Sequence, residues 1–135
     1  TRDVPPPARG GEGQTVLLVE DEDAVRSLAS RILRKRGYQV LEARDGFDAV
    51  RLSDAYNGVI HVLLTDVVMP RMGGRELVER LRPIRPAMRV LYMSGYTDDA
   101  LVHHGVVTGS GAWFLEKPFT PNGLAEKLRE VIVRE

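Results

Sequence analysis

The sequence predicts a doubly wound α/β domain, a five-stranded parallel sheet with helices on both faces. Two observations carry that prediction. Five short runs rich in branched aliphatic and aromatic residues, each bounded by turn residues, alternate strictly with five segments of helical spacing. Such an alternation is economical only when every strand joins one parallel sheet through helical crossovers. The 135 residues suit a single domain, and no internal repeat interrupts the alternation.

The elements follow in chain order. Residues 1–14, "TRDVPPPARGGEGQ", hold three consecutive prolines and little that can be buried. They read as a flexible linker or a remnant of a longer chain, extended at Pro5–Pro7 and pliant at Gly10–Gly13. The folded domain is expected over 15–135, with strands at 15–20, 38–43, 60–65, 88–93 and 112–116. In the first helix, Val25, Leu28, Ala29, Ile32 and Leu33 share one face, and Gly37 is the expected C-cap. A second helix after the "RDG" turn carries Ala49, Val50 and Leu52. Leu77, Val78 and Leu81 mark a third, ending before Pro83. Thr97, followed by Asp98 and Asp99, has the character of an N-cap with an acidic first turn, opening a short fourth helix that stops at Gly105. Leu124, Leu128, Val131 and Ile132 form the apolar face of the fifth.

Composition narrows the function classes. Lys plus Arg equals Asp plus Glu, at 19 each. No global field therefore recruits nucleic acid or an anionic membrane, and neither is expected as a direct partner. No apolar run approaches the roughly 18 residues of a membrane span. Cysteine is absent, which removes disulfides and thiolate metal sites and suits a cytoplasmic home. Thr1 in place of Met, with no secretory leader pattern, points to an excised piece.

In a doubly wound sheet, ligands bind beyond the carboxyl ends of the strands. The first strand ends in Glu20-Asp21, the third in Thr65-Asp66, the fourth in Met93-Ser94-Gly95 and the fifth in Glu116-Lys117-Pro118. Three carboxylates, one hydroxyl and one ammonium would meet there. Clustered carboxylates raise one another's pKa unless a cation neutralises them. A hard divalent ion such as Mg²⁺ accepts their oxygens and leaves room for a phosphoryl group. An ionised Asp can act as a nucleophile and form an acyl phosphate, and Lys117 and Ser94 would share the charge of the transferring group.

Plainer readings stand beside these. Asp21 to Asp23 would favour the positive end of the first helix, Lys117 is a solvated lysine in most contexts, and Ser94 suits a turn. His103 and His104 have no carboxylate or cysteine at ligand spacing and read as surface histidines. Trp113 flanks Phe114 on the opposite face of its strand and reads as packing. Arg31, Arg34, Lys35 and Arg36 read as a solvated face, with docking of an acidic partner as the alternative.

The blocks "VLLVEDE", "LLTDVVMPRMGG", "LYMSGY" and "FLEKPF", in this order, resemble the receiver domain of two-component response regulators. The likeness covers about residues 15 to 134, and is most similar to receivers at the carboxyl end of hybrid sensor histidine kinases. It implies a flavodoxin-like (βα)5 fold and a phosphorelay function in which a partner's phosphohistidine phosphorylates Asp66. By the same resemblance Asp21, Asp66 and the Val68 backbone carbonyl would ligate Mg²⁺, with Mn²⁺ as a substitute, and Glu20 would act through a water. Lys117 would pair with the phosphoryl group, and Ser94 and Phe114 would be the switch residues. Lys117-Pro118 would be a cis peptide and Gly74 a turn glycine after the phosphorylation loop.

The same likeness makes the donor a histidine kinase or histidine phosphotransfer domain, in the same parent chain or another, within the bacterial cytoplasm, while the parent chain could be membrane-anchored. The domain would catalyse its own phosphorylation and dephosphorylation without conventional turnover, and its output would run through the fourth helix, fifth strand and fifth helix. Glu20 stands where Asp is more usual, Phe114 where Tyr is common, and Val68 puts an apolar side chain beside the attack path. A pseudo-receiver interaction module and a haloacid-dehalogenase-like phosphatase are the alternatives. The phosphatase usually needs an Asp where Val68 stands.

Overall fold

The structure, a computed structural model, describes residues 13–95 and 113–133. Most of the expected linker and the whole expected fourth helix, with Thr97, Asp98, Asp99, His103 and His104, lie outside the described residues. Within them the elements are β1 (Thr15–Val19), α1 (Asp23–Lys35), β2 (Gln39–Ala43), α2 (Gly46–Ala55), β3 (Val62–Asp66), α3 (Gly74–Leu81), β4 (Arg89–Ser94), β5 (Trp113–Glu116) and a C-terminal helix, α4 (Pro121–Val133), which is the fifth helix expected from sequence.

The five strands form one parallel sheet in the order β2-β1-β3-β4-β5. All five residues of β1 and of β3 are buried, because helices cover both faces of the central strands. Alternate residues feed two cores. Val16 and Leu18 of β1 pack with Ala29, Ile32 and Leu33 of α1 and Leu124, Leu128 and Val131 of α4. Leu17 and Val19 pack with Ala49 of α2 and Leu77, Val78 and Leu81 of α3. A period of two in the strands thus meets the helical period on either side.

Local chemistry sets the ends of the helices. Gly37 has φ 94°; its N–H donates to the Arg34 carbonyl, and that of Tyr38 to the Leu33 carbonyl, both at 3.1 Å. This is a Schellman closure, in which glycine sits one residue past the cap, here Arg36. Asp45 N-caps α2 by accepting from the Asp48 N–H at 2.8 Å. Gly46, read from sequence as part of a turn, is therefore the first helical residue.

Two further details depart from expectation. Arg31, Arg34, Lys35 and Arg36 are all exposed, yet Arg34 donates to Ser30 Oγ at 2.9 Å and to the Val40 carbonyl at 3.0 Å, tying α1 to β2. Gly13 and Gln14, at the end of the expected linker, already bond to Gly37 and Gln39 through the backbone.

Candidate functional site

The winding of the sheet reverses between β1 and β3, which are neighbours although β2 intervenes in sequence. A crevice opens beyond the carboxyl ends of strands at such a point. Asp66 closes β3, in register with Met93 of β4, and the Val67 N–H donates to the Met93 carbonyl at 3.1 Å. The carboxylate therefore stands on a paired strand residue rather than on a loop, one residue later than the sequence reading ended the strand. Glu20 follows β1, one step past the Val19↔Thr65 pair, and so lies level with Asp66.

Lys117, just past β5, reaches over the end of β4 to both acids. Its Nζ lies 2.7 Å from Asp66 Oδ1 and 3.0 Å from Glu20 Oε1, and its amide N–H donates to the Ser94 carbonyl at 2.8 Å. Ser94 ends β4, half-buried, paired with Glu116. The Lys117-Pro118 peptide is cis.

Asp66 and Glu20 are buried, whereas Asp21 is exposed. Burial, followed by the neighbouring Glu20 carboxylate, pushes Asp66 up to about 8 against the opposing pull of Lys117. Burial works to lower Lys117, but Asp66 and Glu20 outweigh it and raise that group above its ordinary value. One ammonium is shared by two buried acids.

The donor set suits a hard cation. Carboxylate oxygens of Glu20, Asp21 and Asp66 all lie within 4.8 Å of one another, and the buried Glu20 Oε1 and Asp66 Oδ1 share the single Lys117 ammonium. Three clustered carboxylates against one ammonium leave negative charge over, and they make an oxygen-only donor set that Mg²⁺ or Mn²⁺ fits.

The segment after Asp66 is close-packed on itself. Val68 is 61% exposed, between the buried Val67 and Met69. Gly74 was expected as a turn residue but is the first residue of α3. Its constraint is space: an added Cβ would collide with the Asp66 carbonyl oxygen, while its N–H donates to the Val67 carbonyl at 2.8 Å. Phe114 packs on Tyr92 with ring centroids 5.3 Å apart and planes tilted by 51°. Trp113 belongs to the opposite core, as its strand position requires, and Lys127 Nζ lies 5.7 Å from its ring centroid.

Several contributors escape the sequence reading. Arg26 donates to the Glu20 carbonyl at 2.9 Å and to Asp23 at 2.7 Å, fixing the acidic loop from within α1. The Thr65 hydroxyl donates to the Asp66 carbonyl at 3.0 Å. Asp45 and Arg71 form an ion pair at 2.7 Å across 26 residues of sequence. The acidic motif was legible from its place after a strand. The arginines that hold it had no such signal, since a charged residue on a helix is ordinarily solvated.

Residues 16–129 match the family described as response regulator receiver domain. The sensor kinase CckA of Brucella abortus is 39% identical over 121 residues, 90% of this chain but 13% of that protein. The chemotaxis protein CheY of Thermotoga maritima is 31% identical over 121 residues, 88% of this chain and 98% of that one. Among solved structures, the receiver domain of the hybrid histidine kinase CckA superposes with a TM-score of 0.73 at 36% identity, covering 87% of this chain and 98% of that domain. This chain thus spans a small part of the sensor kinase and nearly the full length of CheY.

Proposed function

This chain belongs to the response regulator receiver domain family of two-component systems, and from that premise we propose that Asp66 is its phosphoacceptor. The observation that carries the reading is the buried pair Asp66 and Glu20 joined through Lys117 at the carboxyl edge of the sheet, with the Asp21 carboxylate beside them. Receiver domains take phosphoryl groups from histidine kinases or histidine phosphotransfer proteins. We assign that role here to a kinase or phosphotransfer domain of the bacterial cytoplasm, and the likeness to CckA favours a donor in the same parent chain. No helix among the described residues is long and apolar enough to cross a membrane. Residues 15–135 would be the receiver unit, joined to the rest of its protein through 1–14.

In the transfer, a carboxylate oxygen of Asp66 attacks the phosphorus of phosphohistidine. A P–O bond forms as the P–N bond breaks, and the imidazole leaves with the electron pair and takes up a proton. Lys117, within ion-pair distance of Asp66, favours the ionised nucleophile against the pull of burial and Glu20 and then faces the new phosphoryl oxygens. Asp21, Asp66 and the Val68 carbonyl would hold Mg²⁺, or Mn²⁺ in its place, with Glu20 acting through a water; the ion supplies charge neutralisation for the transferring group. Attack of water on the phosphorus later restores the carboxylate and releases inorganic phosphate. Between these events, the Ser94 hydroxyl turns toward the phosphoryl group and Phe114 shifts against Tyr92, biasing a pre-existing equilibrium at the surface beside β5.

Intact-mass spectrometry after incubation with acetyl phosphate tests this. One Mg²⁺-dependent phosphoryl adduct, absent from Asp66→Asn, is the expected result. No adduct under conditions that label the CheY relative would leave an interaction module without phosphoryl chemistry.

A further inference from the structure

Arg71 lies in the turn between Asp66 and α3, and it is the one non-glycine residue with a positive φ, 70°, among the described residues. The Met72 N–H donates to the Pro70 carbonyl at 2.7 Å. Arg71 is therefore the centre of a three-residue turn of the positive-φ kind, which is rare and strained for a residue bearing a Cβ. Strain of this sort persists where the surroundings over-determine it, and it concentrates at functional sites.

Two partners hold Arg71 in place. Asp45 Oδ2 accepts from its Nη2 at 2.7 Å, and its guanidinium carbon lies 5.7 Å from the centroid of the Phe47 ring. Both partners belong to the start of α2, and the second oxygen of Asp45 caps that helix. The following residue, Met72, is buried against Gly46, where an added Cβ would come within 2.5 Å of its sulfur. At the far end of the turn, Gly74 rests against the Asp66 carbonyl. The segment carrying Asp66 and Val68 is thereby clasped between the start of α2 and its own acceptor strand.

Stability gives no reason for this arrangement. The Arg71 side chain is 68% exposed, so its ion pair adds little to folding. Glycine at 71 would adopt the same backbone without strain.

Resting on the acceptor reading, we propose that Arg71 is a positioning residue for phosphoryl transfer. Its clasp to Asp45 and Phe47 holds the 67–73 turn in one strained form, which fixes the Val68 carbonyl and the Asp66 carboxylate with respect to Lys117.

The test compares wild type with Arg71→Gly, Asp45→Asn, the double variant and Arg71→Lys. Three readouts are taken: phosphoryl uptake from acetyl phosphate with Mg²⁺ timed by intact mass, thermal unfolding, and metal-free amide exchange at Met72 and Gly74. Asn keeps the cap of α2, so Asp45→Asn removes the ion-pair half of the clasp and leaves the Phe47 contact. Arg71→Gly and Asp45→Asn should each slow uptake about 10- to 100-fold, while Tm moves by less than about 3 °C. The double variant should be no slower than the slower single one, the two amides should exchange faster in both single variants, and Arg71→Lys should recover part of the rate. Uptake at the wild-type rate in Arg71→Gly, or a loss of rate that merely follows a fall in Tm, would overturn the proposal. A wild-type chain that takes no label overturns the acceptor reading, and the clasp's role with it; a labelled wild type beside equally labelled variants overturns the clasp alone.

Discussion

The two ends of the sheet handle polar groups in opposite ways. At the amino end, charges are spent on satisfying the backbone. Arg85 donates to the carbonyls of Ser53, Tyr56 and Gly58 and to the Ser53 hydroxyl, and so closes the open end of α2. Arg89 does the same for Val131 and Ile132 at the end of α4. The Thr15 N–H donates to His61 Nδ1, and the Thr15 hydroxyl meets that of Tyr56. At the carboxyl end, two buried acids share one lysine with a third carboxylate beside them, and the adjoining loop holds a strained Arg71. The amino end contributes stability. The carboxyl end gives some up, as the proposed acceptor site requires.

Arg85→Ala should break that division hardest. Removing four charge-assisted bonds to the end of α2 and its following loop costs about 3 kcal/mol, while uptake at Asp66, measured well below the lowered Tm, should hold at the wild-type rate. A rate that fell along with stability would mean the two ends are coupled. Asp66→Asn should act in the opposite sense. It removes a charge that is poorly solvated without a cation, so the metal-free Tm should rise, by about 5 °C at pH 8, as every phosphoryl adduct disappears. A falling Tm would show that Lys117 already compensates the buried acids.

The pH dependence sharpens the same point. Burial and Glu20 raise Asp66 from 3.8 to about 8 in the folded chain, so between those values the native state holds a proton that the unfolded chain has released. The unfolding free energy should therefore fall as pH rises from about 4 to 8, with the full penalty present above 8. Lys117, raised above its ordinary 10.5, keeps its stabilising charge throughout that window. Chemical denaturation of wild type against Asp66→Asn should show a gap that widens with pH, and Mg²⁺ should narrow it most at the top of that window, where the proton competes least for Asp66. A gap independent of pH would count against an acceptor held partly protonated.

The same contrast explains what could be read from the chain alone. The alternation of strands and helices, and the acids that follow β1 and end β3, are local patterns, and Glu20, Asp21, Asp66 and Lys117 were legible because a parallel sheet gathers its strand ends. Arg85 was not, because nothing in a local window tells which arginine will reach a helix end 27 to 32 residues earlier in the sequence. Arg71 sits in a motif that was read, yet its positive φ depends on Asp45 and Phe47, which the sequence reading placed in and beside a simple turn. Gly46 and Gly74 were seen as turn glycines, whereas the space that Met72 and the Asp66 carbonyl take up is what excludes a side chain there.

The smallest effect is expected on the outer face of α3. Arg80 meets Glu76 one turn away at 3.2 Å, with both side chains about half exposed, a geometry that contributes less than about 0.5 kcal/mol and fades with salt. Glu76→Gln should leave the Tm within about 2 °C of wild type and uptake at Asp66 unchanged. That near-silence is informative because the pair has the same chemistry as Arg71 with Asp45, and a similar exposure on the arginine side. If Asp45→Asn slows uptake while Glu76→Gln does nothing, what matters is the backbone the ion pair holds. If the two are equally silent, the strained turn is held by Met72 and Gly74 without help from charge.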